Sequence, residues 1–173
     1  MPDQGSDIAG LRKQLDATSG QARWLAARKL GEAGADAIPA LVEALAHKDA
    51  AVRYWATVGL GSAGDKAAVE PLRAALKDES GDVRVAAAEA LVRLGAGQEG
   101  AQGLVAALEH PSEWVRLRAL RAIERLGPAA SEAVPAARKA AAADSGYPKR
   151  MAEHFAQGEP ETPGGKAPRK GKR

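Results

Sequence analysis

Val83-Arg84-Val85-Ala86-Ala87-Ala88-Glu89-Ala90-Leu91 is the stretch on which the fold of this 173-residue chain turns. Its arginine recurs along the chain at Arg23, Arg53, Arg84 and Arg116, with Lys149 as a fifth copy, at intervals of 30, 31, 32 and 33 residues. Self-similarity at this period is the mark of a stacked-repeat protein, in which each unit buries its apolar face against its neighbours. Three positions before the Val, Ala or Pro that precedes each basic residue stands a residue able to cap a helix: Ser19, Asp49, Ser80, Ser112 and Ser145. An oxygen there can accept a hydrogen bond from an orphan N–H of the first turn, so each predicts a helix start.

Upstream of each cap runs a second apolar pair: Leu11/Leu15, Leu41/Leu45, Leu72/Leu76, Leu104/Leu108 and Ala137/Ala141. Spacing of i,i+4 puts both members on one helical face. Pro39, Pro71 and Pro135 stand near the starts of these helices, where a missing N–H costs nothing. Gly34, Gly64, Gly95 and Gly127 follow the second helices, where a left-handed residue would end them. Each unit thus reads as helix A, a short turn, helix B and a glycine exit. No strand-like alternation of β-branched residues interrupts the pattern. The expected fold is all-α, a right-handed α-solenoid of about five helix-turn-helix repeats.

The expected divisions are a flexible N-terminus over 1–5, a solenoid over 6–157 and a disordered basic tail over 158–173. Units are expected at 6–37, 38–68, 69–100, 101–133 and 134–157. Apolar residues make up 45% of the chain but aromatics only 3%, so alanine and leucine must carry the packing. The absence of cysteine excludes disulfides and thiolate chemistry. No signal-peptide pattern opens the chain and no 18-residue apolar stretch occurs, so a soluble cytoplasmic protein, a monomer without membrane contact, is expected.

The net charge of +3 is unevenly placed. Lys166, Arg169, Lys170, Lys172 and Arg173 stand in the tail against Glu159 and Glu161, leaving 20 basic and 20 acidic residues elsewhere. The repeat body is neutral, and the calculated pI of 9.3 reflects the tail. Rich in Gly, Pro and Lys, the tail suits either plain solubilisation or weak contact with a polyanion.

These residues resemble HEAT repeats, in the short form also found in phycobilisome-lyase-type proteins. Val83–Leu91 and Val52-Arg53-Tyr54-Trp55-Ala56 carry the helix-B pattern of that family, and the similarity covers residues 6–157 in five copies. The run Val52–Gly61 followed by Gly64–Leu72 is also similar to the HEAT extension at the C-terminus of some bacterial sulfatases. So are the segments Glu113–Arg118 and Tyr147–His154. The sulfatase catalytic domain is absent, and no cysteine exists to become its formylglycine. The resemblance implies a bacterial accessory or scaffold protein with a concave surface lined by B helices.

Counting from the Val, Ala or Pro as position 0, positions 0, 4, 7, 8 and 11 share one face at about 100° per residue. In the third copy these are Val83, Ala87, Ala90, Leu91 and Leu94; in the fourth, Val115, Ala119, Ala122, Ile123 and Leu126. This is the expected core stripe. In the fifth copy Pro148, Ala152 and Phe155 occupy it, and Phe155 would seal the open end of the stack. The basic row at position 1 has two possible roles: a phosphate-binding ladder, or covers that bond carbonyls and carboxylates of adjoining segments.

Positions 2, 5, 6 and 9 are expected to face a groove. There stand Trp24, Tyr54, Val85 and Leu117 at position 2, with Arg28, Glu89 and Arg121 at position 6 and Glu124 at position 9. Large apolar groups on an exposed face, beside arginines, suit a protein or peptide partner. Trp24, Arg28, Tyr54, Val85, Glu89, Leu117, Arg121 and Glu124 are the candidate protein-binding residues. Trp55 is expected to pack, and Trp114 and Tyr147 to staple their turns or to form a second surface.

No catalytic constellation emerges. His47, His110 and His154 are far apart and lack metal-ligand spacing, and the paired His-Glu motifs of HEAT-like deoxyhypusine hydroxylase are missing. No phosphate loop occurs, and the serines are accounted for as caps. No cofactor or metal is expected. The sequence reads as a non-catalytic scaffold; the alternatives are an accessory that handles a bilin chromophore and a detached relative of the sulfatase extensions.

Overall fold

Asp49 opens the helix that runs from Ala50 to Ala63. Its side chain accepts a hydrogen bond from Ala51 N–H at 2.8 Å, and the helix ends where Gly64 turns left-handed at φ 71°. The computed structural model describes residues 7–16 and 19–143, and among these there is no strand. The A helices are α1 (Ile8–Gln14), α3 (Ile38–Ala44), α5 (Val69–Ala75), α7 (Gly97–Leu108) and α9 (Val134–Ala143). The B helices are α2 (Gly20–Glu32), α4 (Ala50–Ala63), α6 (Gly81–Arg93) and α8 (Glu113–Leu126). Short 3₁₀ segments lead into α3, α5 and α9, whereas α7 follows α6 after only three residues. No described helix is long and apolar enough to cross a membrane.

The fold is an all-α stack of helix-turn-helix units. Lys149, Pro148 and Phe155, assigned to the fifth B helix, lie outside the described residues, as do Tyr147 and the basic tail. Gly34, Gly64, Gly95 and Gly127, expected as terminators, are the described residues with positive φ. A side chain in that region would clash with its own backbone, so glycine ends each helix at least cost.

The expected core stripe is buried. Val83, Ala87 and Leu91 on α6 and Ala119, Ala122 and Ile123 on α8 are sealed from solvent, with Leu41, Leu72 and Leu104 of the A helices against the same seam. Fully burying each leucine contributes about 1.5–3 kcal/mol. Successive B helices pack on one another directly, while contact between successive A helices is sparser. Missing side chains allow the close approach: a Cβ on Gly31 would stand 2.5 Å from Ser62 Cβ, and one on Gly61 2.7 Å from Ala90 Cβ.

The core divides into two clusters that meet in α6. Val83, Ala87, Ala90 and Leu91 belong to the N-terminal cluster; Val85, Ala88 and Val92 belong to the C-terminal one. Helix α7 makes this possible by lying flush on α6. A Cβ at Gly100 would stand 2.5 Å from the Ala88 carbonyl oxygen, and one at Gly103 2.9 Å from Ala88 Cβ.

The basic row at position 1 closes the A–B turns. Arg53 Nη1 donates to the carbonyls of His47 and Lys48, Arg84 Nη1 to those of Asp78 and Glu79, and Arg116 Nη1 to those of His110 and Pro111. Arg23 and Arg53 also reach the next repeat: Arg23 pairs with Asp49 at 3.0 Å, and Arg53 grips Asp78 through two bonds of 2.8 and 2.9 Å. Arg53 is itself buried. These arginines are structural clamps rather than a phosphate ladder.

The described helix starts stand where the sequence placed them, but the capping differs; Ser145 lies outside the described residues. Ser19, Ser80 and Ser112 precede α2, α6 and α8 in extended conformation, and none makes a side-chain cap. For two of them, the turn is organised from two residues upstream: Asp78 Oδ1 accepts Ser80 N–H and His110 Nδ1 accepts Ser112 N–H. His47 does the same for Asp49. A donor held there keeps the N-cap residue extended without help from its hydroxyl.

Candidate protein-binding site

Trp24 projects from the second turn of α2 and is 45% exposed. Arg28, one turn on, lays its guanidinium 5.3 Å from the indole centroid and stands 3.6 Å from Glu32. An amphipathic ring under a cation, with both groups wet, is a surface that a partner can bury at low conformational cost. Sequence position alone identified this pair.

Further along the row the groove closes. Val85, expected to be exposed, is 1% exposed, and this corrects its assignment to an open surface. Val85 instead belongs to the C-terminal core cluster, with Val115 and Ala119 of α8. Tyr54 is half-buried, its ring edge-on to Trp55 at 5.0 Å. Arg118 of α8 lies 5.1 Å over the Tyr54 ring and donates to its hydroxyl at 3.0 Å. Leu117 is half-buried, and Arg121 and Glu124 are exposed on α8. Position 2 is therefore not one continuous apolar strip.

What remains open is a pocket of about 220 Å³ between α4, α6 and α8. Tyr54, Val58 and Val85 are among its apolar lining residues, and Arg93, Arg118 and Arg125 line it with them. Glu89 is its one lining carboxylate, and its side chain is only 15% exposed. Arg125 donates to it at 3.2 and 2.6 Å and Arg93 at 2.7 Å, while Arg118 Nε meets Asp82 at 2.9 Å. The hydrogen bond and charge of Glu89 raise the Arg125 pKa against the opposing effect of desolvation, so this group stays protonated.

Sequence reading brought Tyr54, Val85 and Glu89 to this place but missed Arg93, Arg118 and Arg125. The signal existed. Trp114, Arg118, Arg121 and Arg125 follow one another at i, i+4, i+7 and i+11, which is one face of a helix. Trp114 heads that face and is 77% exposed, so of the two roles expected for it the staple is not formed. Trp55 does pack on the N-terminal cluster. His47 and His110 serve the turns, and no group of three or more described His, Asp or Glu residues is placed to hold a metal ion.

Comparison with known proteins agrees with this architecture. The HEAT-repeat family profile matches twice, over residues 8–92 and 69–154. A chain of the complex of CpcE and CpcF of phycocyanin lyase from Nostoc sp. PCC7120 superposes with a TM-score of 0.69. The two are 19% identical, and the match covers 87% of this chain and 97% of that one. An engineered protein superposes with a TM-score of 0.54 at 22% identity, over 88% of this chain and 77% of that one. At these identities the likeness is one of fold. No curated protein matches the chain.

Proposed function

We propose that this chain, which belongs to the HEAT-repeat family, is a non-catalytic scaffold that captures a partner protein on the face formed by its B helices. The observation that carries the reading is Trp24, a large ring left 45% exposed beneath Arg28 on a body otherwise packed with alanine and leucine. Exposed aromatic and arginine side chains gathered on one face are typical anchors of protein interfaces. Affinity capture with the intact chain as bait tests it. Trp24→Ala should lose the partner retained by the wild type while helical content and melting stay unchanged, because the ring is not part of the core clusters. Undiminished capture by that variant would remove the anchor role.

A second reading, an accessory that handles a bilin, is favoured by the likeness in fold to a chain of a phycocyanin lyase complex. Titration with a bilin, followed by absorbance, separates the two: a saturable spectral shift supports the second reading and an unchanged spectrum removes it. The scaffold reading takes the protein to be a cytoplasmic monomer. Any salt-sensitive retention on DNA is assigned to Lys166, Arg169, Lys170, Lys172 and Arg173, and deletion of residues 158–173 should abolish it.

A further inference from the structure

We infer that the pocket between α4, α6 and α8 receives an acidic, extended segment of the partner, whose carboxylates replace Glu89 on Arg125 and Asp82 on Arg118. The inference rests on the scaffold reading and names the chemistry its partner must carry. The pocket gathers three guanidiniums around one lining carboxylate. Each guanidinium offers five N–H donors. Arg93 spends one on Glu89, Arg125 two on Glu89, and Arg118 one each on Asp82 and Tyr54. The side chains of Arg93, Arg118 and Arg125 remain 55%, 41% and 51% exposed. A bidentate, charge-assisted acceptor is the ligand such planar forks recognise best.

Spacing defines the segment further. Arg118 and Arg125 are seven residues apart on one helix, so their backbones differ in height by about 10.5 Å. A segment in the extended polyproline II form rises about 3.1 Å per residue with three residues per turn, so carboxylates at i and i+3 point the same way about 9.3 Å apart, close to that separation. Tyr54 and Val58 line the same pocket as the two arginines and give it apolar surface. A segment with acidic residues at i and i+3 and an apolar residue between them is complementary in both respects. When Arg118 turns toward such a ligand it leaves the Tyr54 ring, and the covered aromatic becomes part of the contact.

A fluorescein-labelled hexapeptide, Glu-Leu-Ala-Glu-Leu-Ala, is a direct probe, read by anisotropy against the full chain at low salt. Saturable binding is expected, weaker by about tenfold for each of Arg118→Gln and Arg125→Gln. The peptide with both glutamates changed to glutamine should bind more weakly by a similar factor, and added salt should weaken the acidic peptide. Glu89→Gln should tighten binding a few-fold, because it removes the charge that competes for Arg125; a variant that merely damaged the fold would not bind better. No saturable binding to the wild type, equal binding of the glutamine peptide, or indifference to both arginine substitutions would overturn the inference. So would a doubling of mass in sedimentation that Arg118→Gln abolishes, since the pocket would then belong to a second copy of the chain. Partner capture separates this failure from that of the scaffold reading. Capture that survives Arg118→Gln and Arg125→Gln together but is lost with Trp24→Ala rejects the pocket and keeps the scaffold.

Discussion

Arg118 and Tyr54 stand 64 residues apart in the chain, on helices α8 and α4, yet the guanidinium covers the ring at 5.1 Å and bonds its hydroxyl at 3.0 Å. Helix α6 lies between them in the order of B helices, so the long arginine side chain ties α8 to a helix two B positions away.

A double-mutant cycle measures this contact. Tyr54→Leu and Arg118→Ala should each destabilise, and their coupling in urea unfolding should be about 0.5–1 kcal/mol, the range for a partly exposed cation–π pair. Tyr54→Phe keeps the ring and loses the acceptor, so it should retain most of the coupling. Strict additivity of the two substitutions would show that the helices are held by other contacts.

Arg53 should be far more costly to lose. It is buried, and it serves Asp78, Glu79 and two turn carbonyls at once. Arg53→Met takes the main partner from the half-buried Asp78 and should cost about 1–3 kcal/mol in chemical denaturation. Arg84→Met, which gives up two turn carbonyls, should cost less.

Acid sensitivity should trace to Asp78. Desolvation pushes its pKa up, but hydrogen bonds from Arg53 and Ser80 N–H and the charges of Arg53 and Arg84 outweigh this, so the folded value lies below the ordinary one. A carboxylate depressed in this way stabilises the fold fully above its unfolded pKa, and that contribution is lost as pH falls through the folded value. Melting temperature should therefore drop below about pH 4, where an unfolded aspartate begins to take up its proton. In Asp78→Asn the drop should be shallower and the melting temperature at pH 7 lower.

The helix starts differ in what supports them. Asp49→Ala should destabilise by about 1 kcal/mol through the lost cap on Ala51, whereas Ser80→Ala and Ser112→Ala should change stability little. Thermal melts of the three variants suffice, and a cost at the serines equal to that at Asp49 would contradict the geometry.

Helix α7 offers a paired test of close packing. At Gly97 a Cβ meets nothing within 4 Å, while at Gly100 it would lie 2.5 Å from a backbone oxygen of α6. Gly97→Ala should be neutral or mildly stabilising, and Gly100→Ala should cost about 1–3 kcal/mol by forcing the helices apart.

Periodicity reports which way a side chain points from its own helix axis. That was enough to place Val83, Leu91 and Ile123 in the core and to find the four terminating glycines. It was also enough to set Trp24 and Arg28 outward. Distances between non-adjacent repeats depend on how each pair of helices is spaced, and that spacing is set by single small residues such as Gly61 and Gly100. Val85 has the position of an exposed residue and is buried because it packs with Val115 and Ala119 of α8. Arg118 and Arg125 were legible as one face of α8, but their meeting with Tyr54 and Glu89 depended on the packing of helices from other repeats. The serine positions marked the helix starts but not the cap bonds: Ser80 and Ser112 make none, while Asp49, whose N–H is held in the same way by His47, caps Ala51.

Helix α6 is a party wall, with one set of its side chains completing the N-terminal core cluster and another set completing the C-terminal one. In a stack of interchangeable units, an end can peel away and leave the remainder intact. Here either half, on leaving, strips one side of the helix on which the other half leans. Fraying can consume the outer units one at a time, but the middle of this protein must open in a single step.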